Sequence, residues 1–266
     1  MIGRLDDRMS KLVFITGASS GIGRALAWRF YQAGYRLALV ARRAEEIQIW
    51  SHSHQISKDR CEIYLADVSM PDQIVAAGHA CTERQGVPHV VIACAGISIG
   101  VDTANRTDIE VIARTFATNN TGVAATFHPF VNAMMQRGSG ALVGIGSVNG
   151  IRGLPGHGAN CPSKAALISY CECLRGELRN SGVKVVTLCP GYVDTPLTQK
   201  NAYKMPFLMS PSDFADKALR AIEAGVSYRV IPWQMGVVAK VLRLMPNWLF
   251  DKAFAGRPRK PRTTDV

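Results

Sequence analysis

The sequence predicts a single α/β domain, a doubly wound parallel sheet of about seven strands with helices on both faces. Short β-branched or apolar runs alternate with helical patterns along most of the chain, and no internal repeat interrupts them. Continuous apolar strands between helices are typical of a parallel sheet that is buried on both faces. With 266 residues, of which 47% are hydrophobic, the chain is large enough to bury such a core. This composition excludes a disordered or collagen-like protein.

The predicted strands occur at regular intervals before residue 232. They cover residues 12–16, 36–40, 61–65, 89–94, 141–145, 184–189 and 228–231. No linker rich in proline or serine separates them, so we assign residues 1–232 to one domain. Residues 233–266 are predicted to extend that domain by two short amphipathic helices, at 234–245 and 247–255, and by a basic tail. We expect this tail, residues 256–266, to be frayed.

Charge and cysteine content narrow the class of protein. The chain has 31 Lys and Arg against 20 Asp and Glu, a net charge of +11 that favours anionic partners such as nucleotides, acidic lipids or nucleic acid. Its seven cysteines show neither a zinc spacing nor a disulfide framework. The N-terminus lacks the apolar core of a signal peptide, and no apolar run is long enough to span a bilayer. We therefore expect a reduced, cytoplasmic protein without a metal site.

A glycine-rich turn follows the first predicted strand. Residues 16–23 are Thr-Gly-Ala-Ser-Ser-Gly-Ile-Gly, and a helical pattern begins directly after them. Glycines at this place let the backbone turn tightly and approach a pyrophosphate, whose charge sits at the helix N-terminus. Because the turn joins a first strand to a helix, we interpret it as a dinucleotide-binding turn rather than an ordinary loop. Its candidate contacts are Gly17, Ser19, Ser20, Gly21, Ile22 and Gly23.

The end of the second predicted strand carries Arg42 and Arg43. A site that prefers NAD has an acidic residue here, which binds the ribose hydroxyls. Arginine instead suits the 2′-phosphate of NADP(H), because a guanidinium makes a bidentate, charge-assisted contact with phosphate. The alternative is a pair of solvated cations at a helix start. We favour NADP(H), since the glycine-rich turn is already present.

Further motifs follow in chain order, and with the turn they make residues 11–232 resemble the short-chain dehydrogenase/reductase (SDR) family. They are Asp67-Val68 after the third predicted strand, Ala95-Gly96 after the fourth, Asn119 in a helical Asn-Asn-Thr-Gly, Ser147 after the fifth strand, and Pro190-Gly191 with Thr195 after the sixth. The resemblance implies a Rossmann-type fold and hydride transfer between NADP(H) and a carbonyl or alcohol. It also implies a homodimer or homotetramer. The further cofactor contacts that it implies are Asp67, Val68, Ala95, Gly96, Lys164, Pro190, Gly191, Val193 and Thr195.

The chain departs from the family's pattern at Ala93 and Cys94, where the family has two asparagines before Ala-Gly, and at one catalytic position. The family has a tyrosine in Tyr-x-x-x-Lys, thirteen residues after the serine, and this chain has Asn160 there, between Ser147 and Lys164. The family's phenol moves a proton, and the neighbouring lysine lowers its pKa from about 10. An amide donates a hydrogen bond but moves no proton at a useful rate. The implied catalytic residues are therefore Asn119, Ser147, Asn160 and Lys164, with the acid–base step weakened.

No neighbouring side chain is expected to replace the phenol. We expect His157 to be an exposed loop residue and Cys161 to be a small packing residue. Tyr170 lies ten residues beyond Asn160 on the predicted helix, about 15 Å away by helical rise. Two functions stay open as a result. One is a weakened NADP(H)-dependent oxidoreductase, and the other is a catalytically silent NADP(H)-binding protein with a structural or regulatory role.

Two segments bear on partners. Residues 199–210 stand where the family has its substrate lid, and their apolar content favours a small apolar or lipid-like carbonyl or alcohol substrate. The C-terminal helices and basic tail have two interpretations. They are either a surface-seeking segment that contacts anionic membranes weakly, as in a peripheral adaptor, or a packing extension that covers the substrate pocket or a neighbouring subunit. We favour the extension, because apolar helical faces are usually buried against protein. No nucleic-acid partner is predicted, since no binding motif occurs. The apolar residues of the lid segment are Tyr203, Met205, Phe207, Leu208 and Met209.

Overall fold

The computed structural model describes residues 11–199, 201, 204–256 and 258–262, so Tyr203, Arg257 and residues 263–266 lie outside the described chain. Its seven strands are β1 Leu12–Thr16, β2 Arg36–Ala41, β3 Cys61–Leu65, β4 Val90–Ala93, β5 Gly140–Ile145, β6 Val183–Pro190 and β7 Tyr228–Ile231. They form one sheet in the order β3-β2-β1-β4-β5-β6-β7, and every neighbouring pair is parallel. The predicted doubly wound parallel sheet is therefore confirmed.

Helices cover both faces of this sheet. The α-helices of the described chain are α1 Gly21–Gln32, α2 Ala44–Ser53, α3 Pro71–Gln85, α4 Asp108–Phe116, α5 Gly122–Arg137, α6 Asn160–Glu177, α7 Pro211–Glu223, α8 Trp233–Leu244 and α9 Asn247–Phe254. Helices α1, α2 and α7 pack on one face, and α3, α5 and α6 pack on the other. A π-helical turn, Ala117–Thr121, lies between α4 and α5.

The strands are apolar throughout because each one contributes to two cores. Val13 and Ile15 of β1 pack beneath α1, α2 and α7, whereas Phe14 packs into the opposite core. Phe14 meets Phe130 of α5 edge to face, with 4.9 Å between the ring centroids. Side chains alternate along a strand, so a strand between two helical layers has no wet face and needs no polar residue.

Four strands differ from the prediction by one residue at one or both ends, and of these β4 alone is shorter than predicted. β4 ends at Ala93, one residue earlier than predicted, and begins one residue later than predicted. The amide of Cys94 donates to the Thr16 hydroxyl of β1 at 3.1 Å, and the amide of Ala95 donates to the same oxygen at 3.3 Å. The Thr16 side chain thus replaces a backbone carbonyl of β1 as the hydrogen-bond acceptor at the end of β4. The two strands part here, at the edge of the sheet where their carboxyl ends meet.

The C-terminal helices are only partly covered by the rest of the chain. Met235 of α8 and Phe250 of α9 are buried, and the Arg152 guanidinium lies 4.0 Å from the centroid of the Phe250 ring. We expected the apolar face of these helices to be buried against protein. Within the described chain, only the side that carries Met235 and Phe250 is buried in this way. No helix among the described residues is both long enough and apolar enough to cross a membrane. Large apolar side chains exposed on the other side of the two helices include Trp233, Leu244 and Trp248.

We expect Phe130→Ala to lower the free energy of unfolding by about 3–5 kcal/mol, because Phe130 is fully buried and the change leaves a cavity against Phe14. Urea unfolding followed by circular dichroism measures this loss. The matched control is Met135→Ala in the same helix, where the side chain is 43% exposed and the expected change is within about 0.5 kcal/mol. Equal losses in the two variants would show that the contact between Phe14 and Phe130 does not support the core.

Candidate active site

The carboxyl ends of the strands border a cavity of about 290 Å³. It lies where β1 and β4 part, which is the point at which the strand order reverses and where ligands bind in open α/β sheets. Every residue predicted to contact the cofactor lines this cavity, and so do Ser147, Asn160 and Lys164. Asn119 does not line it but lies fully buried behind its wall. The fold thus brings the predicted residues together at one site.

Close backbone contacts shape the glycine-rich turn. Gly17 has a φ of +71°, and a Cβ there would lie 2.8 Å from Ala95 Cα. A Cβ on Gly23 would overlap the carbonyl oxygen of Gly17, so only glycine fits at either position. Helix α1 begins directly after Ser20, with no side-chain cap and no acidic residue in its first turn. Its N-terminal amides and positive dipole therefore fit a pyrophosphate.

Arg42 and Arg43 lie at the rim of the cavity, after the last residue of β2. Both side chains are mostly exposed, and each faces a carboxylate. Arg42 Nη1 is 3.4 Å from Asp67 Oδ2, and Arg43 Nη1 is 2.9 Å from Glu46 Oε1. Burial acts to raise the pKa of Asp67, but hydrogen bonds from Ser69 and the Arg42 charge outweigh it and lower that pKa. The charged carboxylate holds one guanidinium at the rim of the cavity.

Asn119 connects the loop after β4 to helix α6. It lies in the π-helical turn, where its Oδ1 accepts from the Ile97 amide at 2.9 Å and its Nδ2 donates to the Ile97 carbonyl at 3.0 Å. The same Nδ2 donates to Ser163 Oγ at 3.0 Å, and that hydroxyl donates to the carbonyl of Asn160 at 2.8 Å. Wider turns of this type are frequent at functional sites. Asn119 therefore positions Asn160 through Ser163.

Three side chains of the predicted catalytic group meet in the cavity. Lys164 is partly buried, its Nζ donates to the Ile145 carbonyl at 2.8 Å, and the burial of this ammonium lowers its pKa. Ser147 Oγ accepts from the Asn149 amide at 3.1 Å, which leaves the hydroxyl hydrogen to donate into the cavity. Asn160 is the first residue of α6 and is buried. The group offers hydrogen-bond donors and one ammonium to a bound oxygen.

The expectation that His157 is an exposed loop residue is wrong. His157 is 5% exposed, because the C-terminal segment covers its loop, and a Cβ on Gly156 would lie 2.9 Å from Arg259 Cβ. Burial, together with the nearby Lys260 charge, lowers the pKa of His157 to about 4. The ring is therefore neutral at pH 7 and is not a cationic acid there. Cys161 is buried, and burial raises its pKa to about 11, as expected of a packing residue.

The expectation of a frayed tail is wrong for residues 258–262. Arg262 makes a bidentate pair with Asp108, with Nε 2.7 Å from Oδ2 and Nη2 2.9 Å from Oδ1. The carbonyl of Pro261 accepts from the Gly100 amide at 2.9 Å. The segment contributes Lys260 to the lining of the cavity, so the basic end that was expected to be solvated packs against the rest of the chain. The segment docks because the buried carboxylate of Asp108 needs a cation. Arg262 supplies that cation, and it lies 154 residues from Asp108 in sequence.

Two residues at the site were missed by sequence reasoning. Ser163 had a signal, since it is a small hydroxyl residue directly before Lys164 on the inward side of α6. Lys260 had none, because its position depends on the docking of the tail. Its side chain lines the cavity, its Nζ lies 3.4 Å from Asn201 Oδ1, and burial lowers its pKa. Among the residues the structure describes, no group of three or more His, Cys, Asp or Glu is arranged to hold a metal ion.

Comparison with known proteins identifies the family. The model of the short chain dehydrogenase family matches residues 11–205. An uncharacterized oxidoreductase of Myxococcus xanthus is 36% identical over 243 residues, which cover 91% of this chain and 96% of that protein. The chain therefore belongs to the short chain dehydrogenase family, whose members are oxidoreductases that interconvert carbonyl and alcohol groups.

Solved structures share the fold at lower sequence identity. A short chain dehydrogenase/reductase from Burkholderia phymatum in complex with NAD has a TM-score of 0.78 at 23% identity, over 95% of this chain and 98% of that one. The closed form of a serine dehydrogenase complexed with NADP⁺ has a TM-score of 0.75 at 21% identity, over 83% of this chain and 94% of that one. One of these structures holds NAD and the other holds NADP⁺. The shared fold therefore leaves the choice between the two cofactors to the residues at the rim of the cavity.

We expect Arg262→Gln to lower the melting temperature at pH 7, because the Asp108 carboxylate loses its cation. Hydrogen bonds from Arg262 hold the pKa of Asp108 below its ordinary value of 3.8 in the folded protein. The stability from this pair is therefore present above about pH 4 and is lost as the pH falls through the folded pKa. Melting curves by circular dichroism should show the two proteins converging as the pH falls below about 4.

The control for this experiment is Arg259→Gln in the same segment. Arg259 pairs with Asp102 at 3.6 Å, and both side chains are well exposed, so little stability is at stake. If both variants melted with the wild type at pH 7, the tail would not be docked in solution.

Proposed function

We propose that the chain is an NADP(H)-dependent oxidoreductase that interconverts a carbonyl and an alcohol, and that Asn160 weakens it. The observation that carries this proposal is a single cavity lined by the glycine-rich turn, by Arg42 and Arg43, and by Ser147, Asn160 and Lys164. Family membership supports the reaction class. The resemblance in sequence supports placing Asn160 where the family has its tyrosine, since both flanks match.

The chain's own residues bind and orient the reactants. A bound nicotinamide dinucleotide supplies or accepts the hydride. Residues 17–23 cradle the pyrophosphate, and Lys164, fixed by its bond to the Ile145 carbonyl, binds the nicotinamide ribose. Ser147 donates its hydroxyl hydrogen to the substrate oxygen, since its oxygen already accepts from a backbone amide. Asn160, positioned through Ser163, donates a second hydrogen bond to that oxygen.

Proton transfer is the step that this arrangement lacks. The amide of Asn160 has no titrating proton near neutral pH, and the buried ring of His157 is neutral there. General acid–base catalysis by one side chain is worth about 10²–10⁴-fold in rate. The chain therefore keeps the binding and orientation of the family while the proton comes from solvent or from a weaker donor. If neither solvent nor a weaker donor supplies the proton fast enough, the chain is a catalytically silent NADP(H)-binding protein.

The choice of NADP(H) over NAD(H) rests on the rim of the cavity. Arg42 and Arg43 lie there with exposed guanidinium groups, and a phosphate dianion is a stronger partner for Arg42 than the single carboxylate of Asp67. The adenosine ribose of NAD(H) offers those guanidinium groups only neutral hydroxyls. The net charge of +11 acts in the same direction by attracting the more anionic cofactor.

We propose a small or lipid-like substrate and a homo-oligomeric, cytoplasmic protein. Leu197 lines the cavity, and Phe207 and Leu208 of the lid segment are about half exposed. This supports a substrate with an apolar body. The exposed apolar side of α8 and α9 supports contact with a second subunit, and with its basic residues it also suits weak contact with anionic lipid.

We expect NADPH to bind at least about tenfold more tightly than NADH, a difference of about 1.4 kcal/mol or more. Fluorescence titration of the purified protein with each cofactor measures the ratio. Arg42→Ala should reduce this ratio, because it removes the guanidinium at the rim. The control is Arg84→Ala, which removes an arginine that is as exposed and pairs with Glu62 away from the cavity. Equal affinities of the unmodified chain for both cofactors would contradict the assignment.

We expect Asn160→Tyr to raise carbonyl reductase turnover by about 10²–10⁴-fold, the value of one general acid. NADPH oxidation with a panel of ketones and aldehydes between pH 5 and 9 measures it. Cofactor affinity should change much less, because Lys164 and the arginines are untouched. Asn160→Phe is the control, since it adds the ring without the hydroxyl and should give no gain. Turnover of the unmodified chain near 10 s⁻¹, an ordinary enzyme rate, would show that the missing acid is wrongly assigned.

A further inference from the structure

The C-terminal segment, residues 258–262, delivers a side chain into the cavity. Its Lys260 lines the same cavity as Asn160. The Lys260 charge also acts on His157 and Cys161, which lie close to Asn160 in the chain. Gly100 lets the segment lie close, since a Cβ there would overlap the carbonyl oxygen of Lys260. The cavity wall is therefore made partly by the last described residues of the chain.

The three basic residues of the segment point to different places. Arg259 is mostly exposed and pairs with Asp102 at 3.6 Å. Arg262 is held by Asp108 through two hydrogen bonds, which fixes the register. Lys260 lies between them and lines the cavity, as Ser147, Asn160 and Lys164 do. One cation of the segment is thus placed at the candidate site, and Arg262 anchors the segment beside it.

Lys260 has no counter-anion within the described chain. Its Nζ donates to the neutral amide oxygen of Asn201, at 3.4 Å. The nearby Cys161 and His157 are uncharged at pH 7, because their pKa values are about 11 and about 4. Asp67 is the acidic side chain among the described lining residues, and it pairs with Arg42 at the opposite end. A partly buried ammonium in such surroundings gains from an anion that enters with the ligand.

We propose that Lys260 binds a carboxylate of the substrate, so that the chain acts on oxo acids or the corresponding hydroxy acids. The carbonyl then lies against Ser147 and Asn160 while the carboxylate lies against Lys260, and the apolar lining receives the carbon chain between them. This inference rests on the proposed oxidoreductase function and names its substrate class. The carboxylate takes no part in the redox step and serves only to place the carbonyl.

The test compares oxo acids with neutral ketones of equal carbon count. Levulinate is paired with 2-pentanone, and acetoacetate with butanone. Binding to the full chain saturated with NADP⁺ is measured by calorimetry, and kcat/KM with NADPH is measured in parallel. We expect an acid to bind at least about tenfold more tightly than its matched ketone, the effect of one charge-assisted hydrogen bond. Lys260→Met should abolish that preference, and Lys260→Arg should keep most of it.

Arg259→Met is the matched control, because it removes one positive charge from the same segment outside the cavity. It should keep the preference for the acid. Melting temperature and NADPH affinity show that each variant remains folded and loaded. The inference is overturned if the ketones bind as tightly as the acids, or if Lys260→Met and Arg259→Met give the same ratio. Slow turnover of ketones and acids alike, without a preference for the acids, overturns this inference and leaves the proposed function intact. Acid binding that depends on Lys260, without turnover of any carbonyl, supports the site and contradicts the oxidoreductase.

Discussion

The separation of β1 and β4 at the carboxyl edge of the sheet is the constraint on which the candidate site depends. All seven strands are parallel, so their ends and the loops that follow them meet on one side. The Thr16 hydroxyl accepts hydrogen bonds from the amides of Cys94 and Ala95. The glycine-rich turn packs so closely on Ala95 that a Cβ at Gly17 would clash with it. These contacts set the backbone of the turn beside the loop after β4. The cavity opens from that junction.

The chemistry of the cavity follows from which of its groups are desolvated. Lys164 and Lys260 are cations with pKa values lowered by burial, and neither pairs with a carboxylate of the described chain. Asn160 and Ser147 add neutral hydrogen-bond donors. Among the described residues that line it, the site therefore presents hydrogen-bond donors and positive charge, and the amide of Asn160 supplies neither an acid nor a base. It is suited to binding and orienting an anion-bearing reactant more than to moving protons.

The basic residues of the C-terminal tail do not reveal from sequence alone whether they are solvated or packed against the rest of the chain. Four basic residues in the last eleven positions are typical of a solvated end, and that interpretation is sound for an isolated peptide. In the fold, Asp108 at the start of α4 is buried and needs a cation. Arg262 supplies that cation through a bidentate pair. The same docking buries His157 and brings in Lys260. One ion pair thus changes the environment of three side chains.

The sequence by itself determined the fold class, all seven strands to within about a residue at each end, and about half of the residues that line the cavity. It did so because strand periodicity and the glycine-rich turn are local signals, and because the motif residues directly follow predicted strands. The end of β4, the burial of His157, the bridge through Ser163 and the position of Lys260 were decided only by the tertiary structure. Each depends on a contact between residues far apart in the chain, such as Cys94 with Thr16 or Arg262 with Asp108, and no local pattern records those contacts.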